Sequence, residues 1–510
     1  MNPFNLFKKL KAVFRWGFLF FSAGVVAQEL PSFPFQAGSI LKSAKNTPVP
    51  VFCNDSTVFV TYKTRFKRAS RSEMGFAKFH LPTLDIIQEN LIIPKSSDGE
   101  SFTKITPFKK FYYQEGIIEI GGAYDSRKIE KSFYWRKISW KEMKSTNWSS
   151  IWSIKDKLYK NYVPNFRFSH DSTALLGIFE METSKDSYQL DILRIDLKTE
   201  EIFSKTIPTV YSSKEFTFEG FVDFPNGKIG LVGLRKSSYD QTQKELWLFD
   251  PIPNSLKLFL IPLILQNSEL KIIKQGNKLL LNALVYPQNS SIFNQIQSWE
   301  FNANSESIIS TRSISLTEPQ LKMVNQSFHR LSGHWLGSRR NDQRNFKIFN
   351  YLASEKEEWL VVQAIDQVEK CSQVTRGISQ CNWIYSYGDV LLFQLFKDST
   401  QCQIHALPRY REYDVQLLQG DAGFPFLLQG QIKLLFGDEY PSKTKRRPNA
   451  QSTVIFTPIS QEPMKRELIF INKKEKLFLD ETTGVHAGEN QLIFGGLKNK
   501  KSTIIKINLE

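Results

Sequence analysis

The chain has 510 residues, 41% of them hydrophobic, 23% charged and 13% aromatic. A mean hydropathy of −0.32 is too polar for a bundle of membrane spans, and the apolar content is too high for a disordered chain. Lysine and arginine number 67 against 51 acids, a net charge of +16 that reads first as general solubility and otherwise favours anionic partners.

Residues 1–27 carry Lys8, Lys9, Lys11 and Arg15 ahead of an apolar run over 16–27, with no acid among them. A basic start, a short apolar helix and small residues before Gln28 have the layout of a secretory signal peptide. The run is shorter than the about 20 residues that cross a bilayer. Residues 1–27 are therefore expected to be removed, leaving 28–510 as one mature domain; an uncleaved anchor is the alternative. Losing those four cations lowers the charge from +16 to +12. The expected location is secreted, periplasmic or cell envelope, and the mature chain is not expected to be an integral membrane protein.

Beyond Gln28 the chain reads as strands. Short apolar runs rich in Ile, Val, Phe, Tyr and Thr recur at 57–62, 116–121, 174–179, 228–234, 278–285, 359–364, 390–395, 433–436 and 491–495. Over 190–197, Asp191, Arg194 and Asp196 are set among Leu190, Ile192, Ile195 and Leu197, the mix of a half-buried strand. Asn226-Gly227, Gly276-Asn277 and Gly430 supply turn chemistry between runs. Helical periodicity is nearly absent: 139–145 and 354–359 are expected to hold a turn or two, and nothing longer is expected.

Strand pairs begin near Asn54, Gln114, Asp171, Asn226, Gly276, Trp359, Gly430 and Asn490, mostly at intervals of about 50 to 60 residues, a spacing that suits four-stranded blades. The expectation is an all-β chain forming one β-propeller of seven or eight blades, with a last strand over 502–509 closing the ring against early strands. Two unrelated β-sandwiches are the alternative.

No motif in the chain announces chemistry. His329 and His334 are five apart with no Glu between them, which is not a metal-ligand spacing on one helix face, and a turn is expected there. His170-Asp171 reads as a turn before a strand. No Gly-x-Ser-x-Gly elbow, phosphate loop or dinucleotide fingerprint is present. No catalytic residue, cofactor or metal site is therefore assigned. Acids beside strand ends, Asp438-Glu439, Asp480-Glu481 and the pair Glu180 and Glu182, keep a glycosidase-like acid pair open. Adjacent acids face opposite sides of a strand, so neither adjacent pair suffices alone. Trp135, Trp140, Trp148 and Trp152 are expected chiefly in the core, with sugar stacking as the alternative. The basic groups Arg65-Lys67-Arg68-Arg71 and Lys443-Lys445-Arg446-Arg447 read as solvated loops, and no nucleic-acid partner is expected.

Four cysteines remain in the mature chain: Cys53, Cys371, Cys381 and Cys402. They allow three complete pairings. Cys371 and Cys381 flank a polar stretch that a bridge would close into a small loop, and this pair is the candidate disulfide of an exported protein.

Tyr387-Gly388-Asp389 leads an apolar strand to Leu395, and Gln431 begins a second that ends Phe436-Gly437-Asp438. This arrangement resembles exported, uncharacterised β-propeller-like proteins of Bacteroidetes-type bacteria. The resemblance covers a small part of the chain and implies fold and export only; Cys402-Gln403-Ile404-His405 departs from it. Together these readings lead to an exported, non-catalytic binding or interaction protein of a bacterial envelope. Its expected partner is an envelope protein or an anionic glycan. A carbohydrate-active enzyme with acids in the propeller mouth is the alternative.

Overall fold

The computed structural model describes residues 33–509 apart from 64–73, 93–104, 114, 141–144, 156–163, 170, 185–186, 209–214, 237–241, 253–254, 265–267, 288–289, 291, 333–345, 355–356, 376–377, 398, 410, 414–422, 430, 439–451, 460–461 and 489. The signal-like segment and both basic groups lie outside the described residues.

The chain begins with β1 (Phe35–Ala37), then lays down antiparallel sheets one after another. Blade one is β2 (Val49–Cys53), β3 (Thr57–Lys63), β4 (Met74–His80) and β5 (Ile86–Ile92). Blade two is β6 (Thr106–Tyr113), β7 (Gly116–Asp125), β8 (Glu130–Ser139) and β9 (Ser149–Lys155). Blade three is β10 (Asn165–Phe168), β11 (Ala174–Ser184), β12 (Ser187–Asp196) and β13 (Ile202–Pro208). Blade four is β14 (Phe216–Asp223), β15 (Ile229–Lys236), β16 (Thr242–Asp250) and β17 (Ser255–Ile264). Blade five is β18 (Ser268–Gln275), β19 (Lys278–Val285), β20 (Gln295–Asn302) and β21 (Ser307–Ser315), followed by helix α1 (Glu318–Ser332). Blade six is β22 (Phe346–Ala353), β23 (Glu357–Thr375), β24 (Ile378–Phe396) and β25 (Cys402–Leu407), with β26 (Arg411–Tyr413) paired to β24. Blade seven is β27 (Phe424–Leu428), β28 (Gln431–Asp438), β29 (Ser452–Ile459) and β30 (Glu462–Ile471), then the single turn α2 (Asn472–Glu475). Blade eight is β31 (Leu477–His486), β32 (Gln491–Lys498) and β33 (Lys501–Asn508), completed by β1.

The result is an eight-bladed β-propeller. The first strand of each blade is the innermost. β2 meets β6 and β31, and β22 meets β18 and β27, around the axis. The eight strand-pair starts read from the sequence mark the second strands β3, β7, β11, β15, β19, β23, β28 and β32. These strands carry the continuous apolar runs because both of their faces are covered. In β11, Leu175 packs toward blade two while its neighbour Leu176 packs toward blade four. Among the described residues, each of the eight blade-to-blade interfaces holds one apolar cluster.

Closure is by the last expected strand. Phe35 pairs with Ile507 and Ala37 with Ile505. Thr503 Oγ1 donates to the Gly38 carbonyl at 2.8 Å, and Lys506 Nζ donates to the Pro82 carbonyl at 3.1 Å. Cations elsewhere clip blade to blade in a similar way. Lys228 and Lys257 of blade four hold Glu306 of blade five, and Arg312 holds Glu358 of blade six.

Two helical expectations need correction. Residues from Glu357 belong to β23, because Trp359 and its neighbours are buried between blades. Ser139 ends β8 and Ser145 bridges back to Ile138, while 141–144 lie outside the described residues. A longer helix does exist. Thr317 precedes α1, and its backbone N–H is accepted by Gln320 Oε1 at 2.9 Å, half of a capping box. Leu321, Val324 and Phe328 then form one apolar face that covers the interface of blades five and six. His329 is consequently on a helix rather than in a turn, and His334 lies outside the described residues.

Shortening the chain to begin at Ser39 removes Phe33, Phe35 and the closing strand. Compared with a chain beginning at Gln28, it is expected to lose about 3 kcal/mol or more of stability and to self-associate through the bared edge of β33. Chemical denaturation and light scattering measure both; equal stability would show that β1 does not close the ring.

Candidate functional site

A cleft of about 480 Å³ opens between blades three and four. Its floor is apolar: Leu176 and Ile192 from blade three, Ile229 and Phe249 from blade four. Polar groups converge on it from the turns. Ser169 and Asp171 lie in the turn between β10 and β11, and Asp223 ends β14. Arg194, Ser204 and Lys205 come from β12 and β13.

Strand register explains the convergence. Arg167 pairs with Leu176, Leu176 with Arg194, and Arg194 with Phe203, so these four form one row across blade three. On blade four, Asp223 pairs with Ile229, Ile229 with Phe249, and Phe249 with Leu256. A row of cation, aliphatic, cation and aromatic side chains thus belongs to one wall, and an acid followed by apolar groups to the other.

Most charges around the cleft are engaged within the protein. Asp223 pairs with Lys274 of blade five at 3.4 Å. The Arg167 guanidinium lies 4.8 Å from the Phe221 ring centre. Burial pushes the Arg167 pKa down, and the Asp223 charge partly restores it. Asp171 Oδ1 accepts from Ser169 Oγ at 2.6 Å and from Thr173 Oγ1 at 2.9 Å. Lys205 donates to the Pro251 carbonyl across the cleft.

The outer end is different. Arg194 is exposed and makes no hydrogen bond or ion pair among the described residues. It does contribute through space to the low carboxyl pKa of Asp196, after the Thr199 and Lys198 amides. Beside it, Phe203 is 57% exposed.

The residues singled out in the sequence are dispersed over the ring. Trp135 and Trp140 are buried, and Trp140 donates to the Tyr113 carbonyl at 2.8 Å. Trp152 stacks on Phe133, and Trp148 lies under the Arg136 guanidinium. That arginine is itself buried against Glu119. The tryptophans of blade two are therefore occupied by packing and by a buried ion pair. Glu481 is buried against Arg409 at 2.9 Å, and Asp480 accepts from Thr482 Oγ1 at 2.6 Å, so the adjacent acids do face apart. Glu180 is on β11, while Glu439 and His170 lie outside the described residues. Asp171 enters the cleft, but Asp223, Arg194 and Phe203 had no motif to announce them. Their only signal is that Arg194 and Phe203 hold positions facing blade four and Asp223 ends the first strand of blade four, which becomes readable once blade order is known.

The cysteines fall into two sets. Cys53 and Cys402 are free, and burial pushes their thiols up to about 12 and about 11. Cys371 and Cys381 are register partners on β23 and β24, which run on past the blade as a two-stranded ribbon. The stretch between them is thus a hairpin of paired strands rather than a loop.

His405 lies on β25 with its ring centre 5.9 Å from that of Trp359, and its Nε2 is buried with no hydrogen-bond partner among the described residues. Burial lowers its pKa, as it does that of His486 beside Phe424. A lowered folded-state pKa gives stability that is present above the ordinary histidine value and lost as pH falls through the lowered one. The melting temperature is expected to drop between about pH 7 and pH 5, and His405→Leu to flatten that drop. An unchanged slope in thermal melts of H405L would show that His405 is not the group responsible.

No protein-family profile and no curated protein sequence matches the chain. Solved structures do resemble it. The β-propeller domain of the trilobed protease from Pyrococcus furiosus is 8% identical, covers 83% of this chain and 98% of its own, and has a TM-score of 0.35. The Nup133 β-propeller domain of Vanderwaltozyma polyspora is 11% identical over 78% of this chain and 99% of its own, with a TM-score of 0.37. Polysaccharide lyase Uly1 is 8% identical over 92% of this chain and 100% of its own, with a TM-score of 0.35. The propeller assignment rests on strand pairing, and these likenesses carry no activity across to this chain.

Proposed function

We propose that the chain is an exported, non-catalytic binding protein of a bacterial envelope whose ligand sits in the cleft between blades three and four. The observation that carries this reading is the cleft itself. Its volume lies within the about 300–1,000 Å³ usual for ligand sites. It also combines an apolar floor with a few polar groups on rigid strands. Arg194 and Phe203 are the groups presented outward. Export is supported by the layout of residues 1–27 and fits the basic character of the chain. Among the described residues no helix is long and apolar enough to cross a membrane.

A second reading, a carbohydrate-active enzyme, is favoured by one observation: Asp171 and Asp223 reach the same cleft from neighbouring blades. Both carboxylates are already engaged, with Ser169 and Thr173 in one case and Lys274 in the other. That favours binding over hydrolysis. If the enzyme reading holds, D171N and D223N would each abolish release of reducing ends from envelope polysaccharide. Purified protein that releases none removes this reading.

Export also implies a covalent feature. Directly opposed residues on antiparallel strands have Cα atoms about 4.5 to 5.5 Å apart, inside the disulfide range. Cys371 and Cys381 hold such positions, and we take them as the bridged pair. Protein taken from the envelope fraction is expected to begin at Gln28. Titrated in denaturant without reductant, it should show two thiols per chain, those of Cys53 and Cys402. A chain recovered from the cytosol with Met1 intact would overturn export; four thiols in envelope-derived protein would overturn the bridge.

A further inference from the structure

Antiparallel order within the blades gives the ring two unlike faces. One carries the connections from the last strand of a blade to the first strand of the next, together with the hairpins between second and third strands. The cleft opens at the other face, where Asp171 and Gly227 turn between first and second strands. On the connection face, the turns around blade eight are rich in lysine. Lys474 and Lys476 belong to the connection from β30 to β31, and Lys498, Lys500 and Lys501 to the hairpin of β32 and β33. Lys42 and Lys45 follow β1 on the way to blade one, where Lys63 ends β3.

Hydrogen bonds tie these turns into one surface. The Asn499 N–H donates to the Lys476 carbonyl at 2.8 Å, and the Lys45 N–H to the Lys63 carbonyl at 2.7 Å. Ser502 Oγ, next to Lys501, donates to the Asn46 carbonyl at 2.8 Å. Lys476, Asn499 and Lys500 take φ angles of 53°, 52° and 63°, the left-handed conformation of a tight reversal. All of these lysines are exposed except Lys498, which is half-buried, and none makes an ion pair or side-chain hydrogen bond among the described residues. Cations elsewhere, such as Lys228 and Arg312, hold carboxylates of the next blade. The acids here are Glu475 and Glu89, and Glu89 accepts from Ser43 and from Tyr62. Eight cations less two acids leave +6 on this sector. Apolar groups stand beside the charges: Ile471 is 36% exposed and Phe478 38%, one on each side of the turn that holds Lys474 and Lys476.

From this juxtaposition we propose that the connection face around blade eight docks on an anionic bilayer surface. The lysines lie over headgroup phosphates, and Phe478 and Ile471 enter the headgroup layer. Three observations select this occupant. The cations are all lysines, whose ammonium groups on flexible stems follow a fluid array of phosphates; a rigid anion held in one geometry calls for the arginine fork. They stand on projecting turns, which meet a broad surface before any other part of this sector does. The apolar groups among them gain from a headgroup layer that covers them, which a soluble polyanion does not supply. The inference is independent of the cleft, which faces the other way and stays open to its ligand.

The test is sedimentation of the purified protein with vesicles of phosphatidylglycerol and phosphatidylcholine in equal parts, and with vesicles of phosphatidylcholine alone. Binding is expected only with the anionic vesicles, and it should weaken as salt is raised. Each lysine near such a surface strengthens binding about fivefold. The variant K474E/K476E/K500E/K501E should therefore bind at least about tenfold more weakly than K128E/K198E/K236E/K322E. The second variant makes the same change in net charge at exposed lysines outside this sector. F478S should weaken vesicle binding, and I471S takes its place if thermal melts show that F478S does not fold. No binding to anionic vesicles, equal binding to both kinds of vesicle, or equal loss in the two charge variants overturns the proposal. Polygalacturonate is the second probe. If it displaces the vesicles and neither apolar substitution changes vesicle binding, the sector takes a soluble polyanion and the bilayer is the wrong partner.

Discussion

Each sheet in this chain has two faces to hide, and only a neighbouring sheet can cover each of them. That requirement organises the molecule. It makes the middle strands apolar on both sides, as in β11, where Leu175 and Leu176 serve opposite interfaces. It fixes the ring, because a blade without two neighbours would leave a sheet face in water. It also defines where function can reside, since a gap between blades is an exception to the rule that holds everything else. The gap between blades three and four is such an exception, and its exposed rim is made of residues that would elsewhere have been covered.

The excess of positive charge takes on a structural meaning in this setting. Lys228, Lys257, Lys205, Arg312 and Lys506 reach across interfaces to carboxylates or carbonyl oxygens of the adjoining blade. A long side chain with an ammonium or guanidinium at its tip can span the widening gap between outer strands, where aliphatic groups fall short. Exposed pairs of this kind contribute little energy individually. Their value is in orienting neighbouring blades. Part of the basic character that suggests an anionic partner is therefore used internally, and among the described residues Arg194 differs in acting on Asp196 of its own strand rather than on the adjoining blade.

Much of the fold was legible because a propeller repeats. The eight strand-pair starts correspond to eight second strands, since those strands are the most apolar and are preceded by turn residues such as Asn226-Gly227, where Gly227 takes a φ of +81°. Helix α1 was missed although Thr317 and Gln320 carry a capping signature, because a single amphipathic helix is easily lost among alternating strands. The cleft was illegible for a different reason. Arg194 and Phe203 are nine positions apart and become neighbours only through the register of β12 and β13. Asp223 comes from another blade altogether. Trp135 and Trp140 stood out in the sequence because they are large, and large aromatic residues are what interfaces between sheets consume.

The closing strand links order of synthesis to order of assembly. β1 is made before the blades and its partner β33 after seven of them, so Thr503 and Gly38 meet across a separation of 465 residues. Blades can form from local hairpins as the chain emerges, but the ring has no closing pair until β33 has been made. A nascent chain of this design stays an open arc, with β1 unclaimed, until β33 has been made.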